Sequence, residues 1–116
     1  MNASKLFKSF TYAFEGICKA LEQQNMKIHV ICAIGVVIAG VVTGLSYVEW
    51  SILLIVIAAV ISLEMINTAI EAVVDLASPT IHPLAKVAKD VAAGAVLVFA
   101  AASVIIGGLI FLPKWF

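Results

Sequence analysis

Long stretches without a charged side chain constrain this sequence more than any other feature. Residues 28–48 and 91–113 contain no Asp, Glu, Lys or Arg. As a helix the first run reaches about 31 Å, which matches a bilayer hydrocarbon core of about 30 Å. With 64% hydrophobic and 12% charged residues, a water-soluble domain would lack the polar surface to cover its outside. The chain is therefore predicted to be an integral membrane protein.

A third uncharged run, residues 50–63, reaches only about 21 Å as a helix, so this helix must continue through Glu64 to finish crossing. We predict an all-α membrane protein with transmembrane helices at 28–48, 50–74 and 91–112, the last ended by the helix breaker Pro113. The whole of 1–116 is expected to form one membrane-embedded domain. Gly40 and Gly44 form a GxxxG pair, a spacing that lets another helix approach closely.

Residues 4–23 show a different pattern, with apolar side chains at three- and four-residue spacing and charged side chains opposite them. The apolar positions are Leu6, Phe10, Ala13, Phe14, Ile17 and Leu21. This pattern predicts an amphipathic helix that lies in the membrane interface.

The distribution of lysines predicts the orientation in the membrane. Six lysines precede the first span or lie between the second and third, and Lys114 alone opposes them; the six are Lys5, Lys8, Lys19, Lys27, Lys86 and Lys89. By the positive-inside rule the N-terminus and the 76–90 loop are cytoplasmic and the 48–50 turn is outside.

Charge and cysteine usage exclude two kinds of function. Seven basic and seven acidic residues balance, so no basic surface is available for nucleic acid. Cys18 and Cys32 lack the spacing of a zinc or redox site and are expected to be buried, inert thiols.

A polar stripe interrupts the second span. Glu64, Asn67, Glu71 and Asp75 fall within a sector of about 80° on a helix. Glu64 would lie about 21 Å from Trp50 at the outer interface, roughly 9 Å short of the cytoplasmic boundary, which Glu71 reaches. A carboxylate at that depth costs several kcal/mol unless it is protonated or paired, and such residues are functional by default.

The stripe is suited to phosphoryl transfer from ATP to a membrane lipid. That reaction needs a base for the acceptor hydroxyl, a role for Glu64, and a divalent cation, a role for Glu71. Lys86, Lys89 and Asp90 supply charges on the same side of the membrane. No glycine-rich phosphate-binding motif is present. Two other classes stay open at this point: an ion- or proton-conducting protein, because intramembrane acids also mark ion paths, and a small noncatalytic adaptor.

Two sequence blocks are similar to the prokaryotic diacylglycerol kinase family: EMINTAIEAVVD at 64–75 and AKDVAAGAVLV at 88–98. The segments at 25–29, 82–86 and 111–114 resemble the Gram-positive branch, whose members favour undecaprenol. The resemblance implies an ATP:lipid phosphotransferase that converts undecaprenol to undecaprenyl phosphate, or alternatively diacylglycerol to phosphatidic acid. It further implies a homotrimer with Mg²⁺ and composite sites, in the bacterial cell membrane.

The resemblance also implies residue roles. Glu64 is implied as the catalytic base, Glu71 as a metal ligand that also contacts ATP, and Asn67 and Asp75 as residues that shape the site. Further ATP contacts are implied at Lys5, Tyr12, His82, Lys89 and Asp90. From their position on the apolar side of the first helix, Phe10 and Phe14 could meet the tail of the lipid substrate, but filling the membrane interface is the favoured role for them.

Two positions depart from the family pattern. A second metal-binding Glu is usual just before the Asn25 segment, but this chain has Glu22 one residue early and Gln23 at that position. Either residue is a candidate for the second metal contact. The family's Glu-Tyr pair before the loop histidine is replaced by Thr80 and Ile81.

Overall fold

The computed structural model describes residues 2–116, and this part of the chain forms four helices without a strand. They are α1 (Ala3–Leu21), α2 (Gln24–Thr43), α3 (Tyr47–Ala77) and α4 (Pro83–Trp115). The last three are long and apolar enough to cross a membrane. The predicted class, an all-α membrane protein with a shorter N-terminal amphipathic helix and three apolar helices, is confirmed.

The turn between the first two apolar helices lies at residues 44–46, so the expected bounds of 28–48 and 50–74 are wrong at this end. Gly44 adopts a φ of 81°, a left-handed conformation that ends α2 and favours glycine. Ser46 then starts α3 with a capping box: its hydroxyl accepts from the Glu49 N–H at 3.2 Å, and its own N–H donates to the Glu49 carboxylate at 3.0 Å. The length of an uncharged run predicts neither the turn at Gly44 nor the capping box of Ser46.

Helices α3 and α4 are both longer than their expected spans. They contain 31 and 33 residues, or about 46 Å and about 50 Å of helix, against about 30 Å of hydrocarbon. The helical hydrogen bonds therefore continue past the apolar runs into the polar segments around Asp75 and Lys86. The helices therefore do not end at the charge-based bounds of 74 and 91.

Pro113 does not end α4, contrary to the sequence prediction. The helix continues to Trp115, and the Phe116 N–H still donates to the Leu112 carbonyl at 3.0 Å. Two contacts fix this last turn: the Trp115 indole donates to the Thr43 hydroxyl at 2.9 Å, and Lys114 pairs with Glu49 at 3.1 Å. These links to α2 and α3 offset the hydrogen bond that proline removes.

The best-packed region lies at the same end as the 44–46 turn. Its buried centre is formed by Leu53, Ile110 and Phe111. A Cβ at Gly40 would come within 2.7 Å of the Trp50 ring, so the close approach predicted from the GxxxG pair is made by a side chain of α3 in the same chain. The second glycine of that pair, Gly44, forms the turn instead.

Many apolar side chains of the bundle face outward, as is usual where lipid replaces water. Cys18 and Cys32 are among the exposed residues, so the prediction that both thiols are buried is wrong. Cys18 lies on the surface of α1, and Cys32 faces an open cleft between α2, α3 and α4, so the protein encloses neither thiol.

Helices α2, α3 and α4 are each antiparallel to the next, and this arrangement brings their polar residues together at one end of the bundle. The contacts of α4 with Thr43 and Glu49 place its C-terminus beside the 44–46 turn. At the opposite end, Lys89 of α4 pairs with Asp75 of α3. The C-terminal half of α3, the start of α2 and the start of α4 therefore meet at the end that carries the polar stripe.

Candidate active site

The polar stripe of α3 becomes more exposed toward the end of the helix. Glu64 is 3% exposed and Asn67 is 4% exposed, Glu71 is partly buried, and Asp75 is exposed. Burial within the protein thus decreases from Glu64 to Asp75, in the same direction as the predicted depth in the membrane. The stripe therefore offers a buried acid at one end and solvated acids at the other.

The Glu64 carboxylate meets an imidazole. Its Oε2 lies 3.5 Å from Nε2 of His29, which stands in the second turn of α2 with a side chain 20% exposed. Sequence reasoning gave His29 no role, although a histidine inside an otherwise apolar span was a usable signal. Pairing of this kind lowers the cost of burying the acid.

Asn67 connects the buried acid to the more exposed one. Its amide nitrogen donates to Oε1 of Glu71 at 3.1 Å, while its own oxygen is buried without a hydrogen-bond partner in the described part of the chain. A buried carbonyl oxygen without a donor is costly. The Asn67 oxygen is therefore a candidate for a contact that residues 2–116 of a single chain do not supply.

The beginning of α4 and the end of α3 enclose a depression of about 330 Å³. Asp75 and Lys89 form an ion pair across it at 2.5 Å, and Lys86 pairs with Asp90 at 2.6 Å. The depression also contains His82, whose Nδ1 accepts from the Leu84 N–H at 3.1 Å and so caps α4. Five residues that the sequence analysis assigned to the site are thus brought together here, namely Asp75, His82, Lys86, Lys89 and Asp90.

An apolar cleft of about 520 Å³ lies between α2, α3 and α4. His29 is at one end, and the cleft runs past Val60 and Ser103 to Phe111. Its lining is almost entirely hydrocarbon. The cleft thus leads from the partner of the buried acid into the apolar part of the bundle.

The residues predicted on α1 are not joined to this region within one chain. Lys5, Tyr12, Phe10 and Phe14 are all exposed, and among residues 2–116 no hydrogen bond or ion pair links their side chains to α3 or α4. The two candidates for the second metal contact are also on the surface. Glu22 pairs with Lys19 at 3.3 Å, and Gln23 precedes α2 without a side-chain cap.

Metal-ligand geometry in a single chain is limited. Within the described residues, no group of three His, Cys, Asp or Glu side chains converges on one point. The donor chemistry nevertheless fits Mg²⁺, which is usually held by one or two carboxylates together with the phosphates of a substrate. Glu71 and the unpartnered Asn67 oxygen are hard oxygen donors of this type.

Fold and site together define a small helical membrane protein with an acid buried between apolar helices and a charged depression at the same end. The chain belongs to the prokaryotic diacylglycerol kinase family, whose family model matches residues 11–111. This confirms the resemblance seen in the 64–75 and 88–98 blocks. Membership makes the protein a membrane lipid kinase and implies ATP as co-substrate, which decides against the conduction and adaptor alternatives.

Individual relatives agree with this assignment. The chain is 51% identical over 112 residues to an undecaprenol kinase of Bacillus subtilis, covering 96% of this chain and 91% of that protein. It is 42% identical to a diacylglycerol kinase of Synechocystis, covering 96% of this chain and 65% of the relative. A diacylglycerol kinase of Helicobacter pylori is 33% identical over 95 residues, or 81% of this chain and 74% of its own length.

Proposed function

We propose that this protein transfers the γ-phosphoryl group of ATP to the hydroxyl of undecaprenol, with diacylglycerol as the alternative acceptor. The observation that carries the proposal is the position of Glu64, which is buried and contacts His29 at one end of an apolar cleft. The 51% identity to a protein named undecaprenol kinase favours the isoprenoid alcohol. Both acceptors present one hydroxyl at the edge of a long apolar tail.

Glu64 is the proposed general base. As the acceptor oxygen attacks the γ-phosphorus, its proton passes to the carboxylate, and the bond from the γ-phosphorus to the bridging oxygen breaks to release ADP. A base for a lipid hydroxyl must lie deeper than the water-borne nucleotide, and Glu64 is the most buried acid of the stripe. The apolar cleft beginning at His29 is suited to hold the first part of the tail.

The depression between α3 and α4 is the proposed binding region for ATP. Lys89 and Lys86 supply positive charge for phosphate oxygens, and Asp75 and Asp90 hold these two lysines in place. The Nδ1 atom of His82 is used by the helix cap, which leaves Nε2 as the ring nitrogen for a nucleotide contact.

Mg²⁺ is proposed at Glu71, with Asn67 as an oxygen donor and Glu22 or Gln23 as the second protein contact. When bound there, the cation would neutralise charge on the phosphates. Asn67 also orients Glu71 through its amide hydrogen bond of 3.1 Å. The unpartnered Asn67 oxygen supports this arrangement, because a cation would satisfy it.

The remaining predicted contacts are proposed to come from a neighbouring copy in a homotrimer. Lys5 and Tyr12 lie on the exposed part of α1, and no contact joins them to the nucleotide region of the same chain. A site that contains both sets would then be shared between subunits. Phe10 and Phe14, both outward-facing, are proposed to contact lipid, either the acceptor or the surrounding bilayer.

The proposed location is the bacterial cell membrane, with the N-terminus and the active site in the cytoplasm. The lysine asymmetry supports this orientation. The one lysine at the opposite end, Lys114, pairs with Glu49, so its charge is compensated. ATP then reaches the α3 and α4 depression from the side where it is abundant.

An acceptor competition tests the proposed function. The purified protein is supplied with γ-labelled ATP, Mg²⁺ and equal amounts of undecaprenol and diacylglycerol in mixed micelles, and the labelled lipids are separated. Undecaprenyl phosphate is expected to be the main product. Predominant phosphatidic acid would assign the alternative acceptor, and the absence of any labelled lipid would overturn the kinase proposal.

A further inference from the structure

The surroundings of His29 distinguish it from an ordinary core histidine. It faces the Glu64 carboxylate of α3 at 3.5 Å. Among residues 2–116, His29 is the one basic side chain that contacts the Glu64 carboxylate, and the Glu64 backbone carbonyl accepts from the Thr68 hydroxyl. The most deeply buried acid of the site therefore has a single titratable neighbour.

The remaining surroundings of the imidazole carry no charge. On α2, the other titratable group of the cleft lining is Cys32, and α4 contributes Ala100 and Ser103 to the same lining. No acidic or basic side chain of α1 or α4 forms an ion pair with His29 among residues 2–116. Glu64 is thus the one acidic side chain in contact with His29 among residues 2–116.

We propose that His29 is a positioning residue and proton acceptor that acts through Glu64, an inference that rests on the proposed function. Before reaction the neutral ring carries its proton on Nδ1, which leaves the Nε2 electron pair to accept from Glu64 once that carboxyl is protonated. After Glu64 has taken the hydroxyl proton and the phosphoryl group has moved, the proton passes from Oε2 of Glu64 to Nε2 of His29. Imidazole exchanges protons near neutral pH, and the ring is 20% exposed, so it returns the proton to water before the next turnover.

The steps balance without a further reactant. The O–H bond of the acceptor and the bridging P–O bond of ATP break, the new P–O bond forms, and ADP leaves. The proton reaches water in three transfers, from the hydroxyl to Glu64, from Glu64 to His29 and from His29 to water. By taking this proton, His29 returns Glu64 to the carboxylate form, which can act as a base again. Without His29, the nearly buried Glu64 carboxyl would have to pass its proton directly to solvent.

Steady-state kinetics test the proposal with His29→Gln and His29→Ala. We expect kcat to fall about 10- to 100-fold, with KM for the lipid and for MgATP within about threefold of the parent. Added imidazole should partly restore His29→Ala. The pH dependence of kcat should also change, because both variants lack the imidazole that takes the proton from Glu64. Lys27→Gln, an exposed change two residues away on α2, is the matched control and should retain parental kcat.

Three outcomes would overturn the role of His29 while the parent remains active. One is an unchanged kcat in His29→Gln. Another is a raised lipid KM with unchanged kcat, which would make His29 only a wall of the cleft. The third is a lowered kcat with the parental pH profile and no rescue by imidazole, which would indicate a structural role. If the parent itself phosphorylates no lipid alcohol, the proposed function fails instead.

A measurement without turnover tests the contact directly. The chain contains two histidines, so imidazole ¹⁵N spectra of the protein in nanodiscs show two rings, and His82 serves as an internal reference. Glu64→Gln is expected to shift the His29 resonances and leave those of His82 unchanged. Unchanged His29 resonances would show that the contact is absent and would overturn the proposal whatever the kinetic results.

Discussion

Along α3 the environment of the polar residues changes within three turns, and this gradient separates two kinds of chemistry. Glu64 lies among apolar side chains beside His29, whereas Glu71 is partly exposed and hydrogen-bonded to Asn67. A buried carboxylate is suited to proton transfer with a lipid hydroxyl. A wetter carboxylate is suited to a hydrated cation such as Mg²⁺, which gives up its water reluctantly.

Removing the charge of Glu71 should therefore affect the metal first. In Glu71→Gln the amide keeps the shape but loses the charge that attracts a hard cation, so the Mg²⁺ concentration for half-maximal activity should rise at least about tenfold. Asp75→Asn is the matched comparison one turn away. Because Asp75 pairs with Lys89, that variant should change KM for ATP and leave the Mg²⁺ requirement near the parental value. A Mg²⁺ titration giving the reverse ranking would contradict both assignments.

The second metal contact is tested by a pair of neighbouring variants. We expect Glu22→Gln to raise the Mg²⁺ requirement and Gln23→Ala to have a mild effect, because a carboxylate binds Mg²⁺ more strongly than an amide. Glu22 forms an exposed ion pair with Lys19, and it would have to give up this pair to bind a cation. A surface ion pair contributes little to stability, so its loss costs little. A larger effect of Gln23→Ala in the same titration would assign the site to Gln23.

At the residue scale, the sequence predicted the acids better than their partners. Glu64 and Asn67 were identified because a helix places them on one face inside an apolar span, a property of a single helix. The contact with His29 joins two helices, and periodicity within one helix carries no information on it. The α1 residues Lys5 and Tyr12 came from the family resemblance, and their roles remain predictions.

At the scale of the helices, local capping decides where each one ends. The capping box of Ser46 and Glu49 and the positive φ of Gly44 place the first turn earlier than charge patterning does. Pro113 was a misleading stop signal because Trp115 and Lys114 fix the last turn through contacts with other helices. The type and number of the helices were predictable from apolar length, and their ends depended on these particular side chains.

Gly40 offers a test of helix packing with a control on the same helix. In Gly40→Ala the new Cβ would lie within 2.7 Å of the Trp50 ring, and overpacking of this kind typically costs about 1 to 3 kcal/mol. At Gly35 an added Cβ meets nothing within 4 Å, so Gly35→Ala should lose no stability. Thermal unfolding of the two variants in the same detergent provides the comparison. Equal Tm values would show that the α2 and α3 contact at Gly40 is not close.

At the scale of the whole molecule, the orientation in the membrane decides whether ATP can reach the site. The 78–82 loop joins α3 to α4 beside the charged depression, and the lysine asymmetry predicts that it is cytoplasmic. Ser78→Cys in a chain with Cys18 and Cys32 replaced should therefore resist an impermeant thiol reagent in intact cells and react after permeabilisation. The replacement of both native cysteines is necessary because both are exposed.

A control at the opposite end completes this topology test. Tyr47→Cys, next to the 44–46 turn and exposed, should react with the impermeant reagent in intact cells. If the Ser78→Cys protein reacted there and the Tyr47→Cys protein did not, the orientation would be reversed. Cytoplasmic ATP would then have no access to Lys89 and Asp90.

The central claim is that Glu64 accepts the proton of the lipid hydroxyl, and single-turnover phosphorylation by Glu64→Gln tests it most directly. The amide keeps the packing around this nearly buried position but cannot take a proton, and loss of a general base typically costs about 10²- to 10⁴-fold in rate. We predict a loss of that size in the rate of undecaprenol phosphorylation, with MgATP binding within about threefold of the parent. A Glu64→Gln protein that phosphorylated the lipid within about threefold of the parental rate would contradict the claim.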